Sequence, residues 1–107
     1  MKRGEVWWAR LKPPAGRRPV VLLSRDEAYS VRTAVTVAPL TTTVRGIAVE
    51  VSLGLEDGLP KPCAVNCDSL PTIPKAYLES RIARLSERKI EEIHKAIRFA
   101  LDMEQLN

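Results

Sequence analysis

The sequence predicts a mainly β domain. Five or six short, bent antiparallel strands should form a small barrel-like sheet, with one α-helix packed on it at the C-terminal end. Two observations carry this expectation. The first two-thirds of the chain alternate between β-prone runs and proline- or glycine-marked breaks. At Ser86 the apolar period then changes from that of a strand to that of a helix.

Glu5-Val6-Trp7-Trp8-Ala9-Arg10-Leu11 is aromatic-rich and reads as the first strand. Its two adjacent tryptophans point to opposite faces, one to the core and the other to a groove or a dimer contact. Lys12-Pro13-Pro14-Ala15-Gly16 ends the strand, because two prolines and a glycine cannot continue a ladder. Arg18-Pro19-Val20-Val21-Leu22-Leu23-Ser24 is apolar enough to be buried on both faces. A polar connection, Asp26 to Arg32, leads to a third strand over Thr33–Leu40, where Pro39 argues for an edge or a bulge. Ile47–Val51 is the fourth strand and Gly54–Pro62 a loop. Cys63–Leu70 is the fifth strand, ending in a polar stretch. A helical turn is expected at Lys75–Leu78, before a short sixth strand over Ser80–Leu85.

Ser86 is suited to cap a helix, and Glu87 sits at the positive end of its dipole. Ile90, Ile93, Ile97 and Leu101 recur at spacings of three and four, with Ala96 and Ala100 beside them, which makes one apolar stripe. No internal repeat or linker interrupts the chain, so residues 1–107 read as one domain.

Composition narrows the function classes. With 45% hydrophobic and 28% charged residues the chain reads as globular and not disordered. No apolar run is long enough to span a membrane, and the basic start lacks the apolar segment of a secretory signal. A cytoplasmic protein is therefore expected. The net charge of +4 favours an anionic partner, nucleic acid first among them. Cys63, Cys67 and His94 are too few and too scattered for a zinc site. The two cysteines read as small apolar strand residues, and His94 as a surface or interface residue of the helix. No metal and no cofactor is expected.

Three polar clusters flank predicted strand ends: Arg17-Arg18, Thr41-Thr42-Thr43, and Asn66-Cys67-Asp68-Ser69. Each has a plain structural reading, as solvated charges at a hairpin, turn residues, and a turn former that caps a backbone N–H. Each also suits RNA cleavage. The ribose 2′-OH is already a nucleophile, so a protein need only align it, take its proton and stabilise charge on the phosphoryl oxygens. Arginine fits the last task, since its planar fork binds phosphate oxygens and stays charged.

Taken in order, these stretches resemble the MazF/PemK/Kid family of toxin–antitoxin ribonucleases. The family's motifs have counterparts in Arg3-Gly4-Glu5-Val6-Trp7, Arg18-Pro19-Val20-Val21-Leu22, Val37-Ala38-Pro39-Leu40-Thr41-Thr42 and Cys67-Asp68-Ser69-Leu70-Pro71-Thr72-Ile73. Arg84-Leu85-Ser86 and the amphipathic helix match its end. The resemblance implies an SH3-like barrel, a two-fold homodimer, and metal-independent cleavage of single-stranded RNA, with messenger, ribosomal and transfer RNA all open as targets. It also implies a cognate antitoxin that blocks the site.

By position, Arg18 matches the family's catalytic arginine, Thr41 its threonine, and Asp68 the aspartate proposed as base in Kid-like members. Arg17, Arg25, Thr42, Arg45, Asn66 and Ser69 are the expected RNA-binding residues. The chain departs from the pattern in two places. Its first loop, Lys12 to Arg17, is short and lacks an acid or histidine, and Asn66 stands where Kid-like members have arginine. A cation and a loop contact are then either missing or supplied elsewhere, by Arg17, Arg25 or Arg45. Two other readings are a CcdB-like gyrase poison and a non-catalytic RNA-binding module. Against the first, the chain ends Met103-Glu104-Gln105-Leu106-Asn107, without the Trp-Gly-Ile of those poisons.

Overall fold

The computed structural model describes residues 1–103; the chain ending that lacks Trp-Gly-Ile lies, apart from Met103, outside the described residues. The strands are β1 (Glu5–Arg10), β2 (Arg17–Leu22), β3 (Ala34–Thr41), β4 (Glu50–Leu53), β5 (Cys63–Asn66), β6 (Thr72–Pro74) and β7 (Leu78–Arg84). Two helices join them, α1 (Ala28–Val31) and α2 (Glu87–Ala100). The sheet runs β4-β5-β3-β2-β1-β7, and β6 also pairs with β3. All the pairings are antiparallel. Seven strands replace the expected five or six, in a mainly β small-barrel fold with a C-terminal helix.

The central strands are buried on both faces, as the apolar run of β2 requires. Val21 of β2 joins Val6, Ala38, Leu40 and Val65 in one core, which α2 covers with Ile93 and Ala96. Its neighbours Val20 and Leu22 point the other way, into a second core with Ala9, Val35, Val37 and Ile73. Residues two apart on a strand share a face, so one strand feeds two cores.

The third strand corrects the sequence reading. It is not an edge, because β2 lies on one side and β5 and β6 on the other. Pro39 is tolerated because β3 changes partners there. β6 pairs through Thr36 and β5 begins at Leu40, so the missing N–H falls in the gap between them.

Three other elements differ. The connection Asp26 to Arg32 contains α1, whose Ala28 and Tyr29 are buried. The fourth strand starts later than expected, because Glu50 N donates to the carbonyl of Ile47 and closes a turn. The fifth stops at Asn66, so Asp68 lies on the turn beyond it and Ser69 just after that turn. The expected helical turn is present at Lys75–Tyr77.

The N-terminal Arg3-Gly4-Glu5 is an anchor. The buried Glu5 carboxylate accepts from Lys2 N (3.0 Å), Trp7 Nε1 (3.0 Å) and Arg81 Nη1 (3.3 Å). Burial works to raise its pKa, but these donors outweigh it and hold the group below its ordinary value. Gly4 has φ of +88°, and a Cβ there would lie 2.6 Å from Ile90 Cδ1 of α2. The helix starts at Ser86, whose Oγ accepts from Lys89 N at 3.2 Å, and Lys89 Nζ donates to Ser52 O of β4 at 2.9 Å. Of its apolar stripe, Ile90, Ile93 and Ile97 pack on the first core, while Leu101 is exposed.

Cys63 and Cys67 are free, buried thiols. Burial, with Asp68 next to it, pushes Cys67 up to about 11.

Two outcomes are expected. Gly4→Ala must both take a left-handed backbone and displace Ile90, so it destabilises by roughly 1–3 kcal/mol in urea unfolding; an unchanged midpoint would show that α2 yields freely. In Cys63→Ser protein the remaining thiol, Cys67, stays silent to Ellman's reagent near pH 8 until denaturant is added. Prompt reaction of the folded protein would contradict its burial.

Candidate RNA-cleavage site

Sheet register brings two of the sequence clusters together. β2 and β3 pair antiparallel through Val20 and Pro39. Continuing that register by two residues sets Arg18, near the start of β2, opposite Thr41, at the end of β3. Both line one cleft of about 350 Å³, with Arg17, Thr42, Trp8 and Lys61 among its other walls. A second cleft, of about 520 Å³, opens on the other side of Arg18 and is lined by Lys12, Asn66, Ser69 and Tyr77 among others. Arg18 is therefore the divide between two concave surfaces.

Its guanidinium is oriented from behind. Arg18 Nε donates to the carbonyl of Ala15 at 3.1 Å, and among the described residues no carboxylate pairs with it. The two terminal nitrogens are left to bind an anion bidentately. Thr41 Oγ1 accepts from Thr43 N at 3.1 Å. Its oxygen is thus engaged by the turn, and its hydrogen is left to donate elsewhere.

Arg17 is held differently. Its guanidinium lies 4.1 Å over the Trp8 ring, and its Nε donates to Glu79 Oε1 at 2.7 Å. Trp8 and Arg17 are diagonal neighbours on one face, since Trp8 pairs with Pro19 two residues beyond. Glu79 also accepts from Arg10 Nε (3.1 Å) and Nη2 (2.9 Å). The hydrogen bonds from Arg17 and then Arg10 hold the Glu79 carboxyl below its usual range. Of the two tryptophans, Trp8 thus lines the cleft and Trp7 packs against the second core.

The third cluster meets the site only in part. Asn66 and Ser69 line the second cleft, while Asp68, between them in sequence, is exposed and lines neither cleft. The side chain that caps the turn is that of Asn66, whose Oδ1 accepts from Asp68 N at 3.0 Å. Arg25 lies on a different concavity, beside Arg32 and Thr33. Arg45 is exposed on the Thr42–Ala48 loop, which is fastened by Arg45 N and Gly46 N donating to Glu50 Oε1 at 2.8 and 3.0 Å. Neither residue lines a cleft beside Arg18. The cations that do are Arg17, Lys61 and Lys12.

Lys61, Lys12 and Tyr77 escaped the sequence reading. Lys61 stands between two prolines in a loop, and only the packing of that loop against the β2–β3 end brings it to the cleft. His94 lines neither cleft and lies on α2, with Nδ1 3.3 Å from Glu91 Oε2. Among the described residues no three of His, Cys, Asp and Glu come together as a metal site would require, and no helix is long and apolar enough to cross a membrane.

Comparisons with known proteins agree with this architecture. Residues 2–101 match the family described as PemK-like, MazF-like toxin of type II toxin-antitoxin system. The chain is 45% identical to the probable endoribonuclease MazF5 of Mycobacterium tuberculosis, over 94% of this chain and 92% of that one. It is 41% identical to the endoribonuclease MazF3 of the same species, over 81% and 84%. Among solved structures, the Mycobacterium tuberculosis toxin MazF-mt6 superposes with a TM-score of 0.87 at 38% identity, covering 94% of this chain and 99% of that one. An endoribonuclease in complex with its cognate antitoxin, from a mycobacterial species, superposes at 0.86 with 25% identity and 99% coverage of both. With its Arg18–Thr41 cleft formed at one end of a small barrel, the chain belongs to the PemK-like, MazF-like family of type II toxin–antitoxin toxins.

Proposed function

We propose that this chain is the toxin of a toxin–antitoxin pair and cleaves single-stranded RNA by attack of a ribose 2′-OH on the adjacent phosphate. The observation that carries the proposal is the meeting of Arg18, unpaired with any carboxylate among the described residues, with the donor-ready hydroxyl of Thr41 on one cleft. Arg18 clamps the scissile phosphate and stabilises the charge that builds on its non-bridging oxygens. Thr41 donates a hydrogen bond to one of those oxygens. The 5′-oxygen leaves, and a 2′,3′-cyclic phosphate remains on the upstream fragment.

The base is drawn from the rim, because among the described residues no carboxylate and no histidine lines the two clefts. Two rim carboxylates stand nearby. Glu79 is committed to Arg10 and Arg17. Asp68 makes no side-chain hydrogen bond among the described residues and lies on the turn that carries Asn66 and Ser69 to the second cleft. We assign the base to Asp68. Arg17, Thr42, Asn66, Ser69, Lys12 and Lys61 flank the path of the strand. Arg25 and Arg45, both exposed, add positive charge farther along it.

The working unit is a two-fold homodimer in the cytoplasm, silenced by a cognate antitoxin whose acidic segment competes for the same basic clefts. The solved relative in complex with its cognate antitoxin supports that partner. The kinship with proteins named endoribonucleases favours this reading over a gyrase poison or a non-catalytic module.

Purified protein should make discrete cuts in a long single-stranded RNA with EDTA present. A single 2′-deoxy substitution at the scissile ribose should abolish the cut, because the nucleophile is gone. Arg18→Ala should lower the rate by roughly 10²–10³-fold; full cleavage by that variant would overturn its role. Asp68→Asn should lose on the order of 10²–10⁴-fold. Glu79→Gln should lose less. The reverse ranking of the two variants would move the base to Glu79.

A further inference from the structure

Arg18 is shared by the two clefts, so a phosphate seated on it leaves a neighbouring nucleotide within reach of the second one. That cleft, of about 520 Å³, has a lining suited to a heteroaromatic base. Tyr77 and the prolines Pro39 and Pro71 supply apolar walls, and Lys12, Asn66 and Ser69 supply polar groups. Stacking against such walls tolerates any base, so discrimination falls to the hydrogen-bonding groups.

Asn66 is the group whose polarity is fixed. Its Oδ1 accepts the backbone N–H of Asp68 at 3.0 Å. Only the oxygen of an amide can accept, so this bond sets the orientation of the whole group. The Nδ2 amino group is left with two hydrogens and no partner among the described residues. Lys12, on the same cleft, is also a donor with no acceptor capacity. The hydroxyls of Ser69 and Tyr77 can serve either way.

We infer that the second cleft selects a keto base, uracil or guanine, next to the scissile phosphate, through donation from Asn66 Nδ2 to its carbonyl oxygen. The inference rests on the ribonuclease reading above. Uracil offers O4, and guanine offers O6 with N7 beside it; each meets the donors with acceptors. At the same position cytosine and adenine carry an exocyclic amino group, which would face the Asn66 amino group and leave that donor unsatisfied. A mismatch of this kind discriminates on the order of tenfold to a hundredfold.

The polarity of the amide can be inverted without disturbing the turn. Asn66→Asp keeps an oxygen for the Asp68 N–H and replaces the amino group with an acceptor. Asn66→Ser keeps an oxygen for the turn and removes the amide amino group, leaving a shorter hydroxyl that can donate or accept. Cuts made in a randomised single-stranded RNA by wild type and both variants would be mapped by sequencing. In wild type, one position flanking the cut should favour U and G over C and A by about tenfold or more. Asn66→Asp should shift that position toward C and A, and Asn66→Ser should level it. The ratio is the readout, because the added charge of the aspartate slows all RNAs alike. A wild type with no keto preference at any flanking position, or variants with an unchanged profile, would overturn the inference.

If the wild type cuts no RNA, it is the ribonuclease reading that fails. The inference is then read by binding of labelled oligo-U against oligo-C. A preference for oligo-U that reverses in Asn66→Asp upholds it, and equal binding overturns it.

Discussion

The pairing of β2 with β3 is the constraint on which the rest of this structure depends. Both strands are buried on both faces, and their alternate side chains feed two separate cores. A slip of one residue would exchange those side chains and place each set in the wrong core. The register is therefore pinned by packing far from the cleft. It is this register that sets Arg18 across from Thr41, at an end of the sheet where the ladder stops and polar groups become free. The site uses a rigid frame made by valines and leucines, and its own residues contribute little to holding it.

The two arginines at the start of β2 differ in what they are free to do. Neighbours on a strand face opposite ways, so Arg17 falls on the face of Trp8 and Arg18 on the face of Ala9. Arg17 is stacked and paired with Glu79. Its charge is partly spent, and its plane is fixed. Arg18 keeps one bond to a carbonyl and, among the described residues, pairs with no carboxylate. An unneutralised guanidinium on a concave surface is the stronger attractor for phosphate. The sequence presents the two as a doublet; the pleat separates their chemistry.

The turn after β5 shows the same division of labour. Cys67 is buried, and its N–H donates to Val49 O at 2.9 Å, which locks the turn to the neighbouring segment. With Cys67 turned inward, Asp68 is thrown outward, and Asn66 and Ser69 flank it on the cleft side. Asn66 takes the capping role that a sequence reading gives to the aspartate. The Asp68 carboxylate thereby makes no side-chain hydrogen bond among the described residues.

The sequence by itself determined the strands with strong apolar patterning, the break at the paired prolines and the start of the helix at Ser86. It also determined that Arg18, Thr41 and the Asn66–Ser69 cluster sit at element ends. These are local properties, set by side-chain period, backbone propensity and capping chemistry. Only the tertiary structure decided the short elements. β6 is three residues with a proline, and α1 is four residues with no side-chain cap; neither has a local signal, and each exists because Ile73 and Tyr29 find a place in the second core. It likewise decided that Pro39 lies in a central strand, that Lys61 reaches the cleft and that Arg25 and Arg45 do not line it. Such facts depend on which strand lies beside which, and long-range pairing leaves no mark in the spacing of residues along a chain.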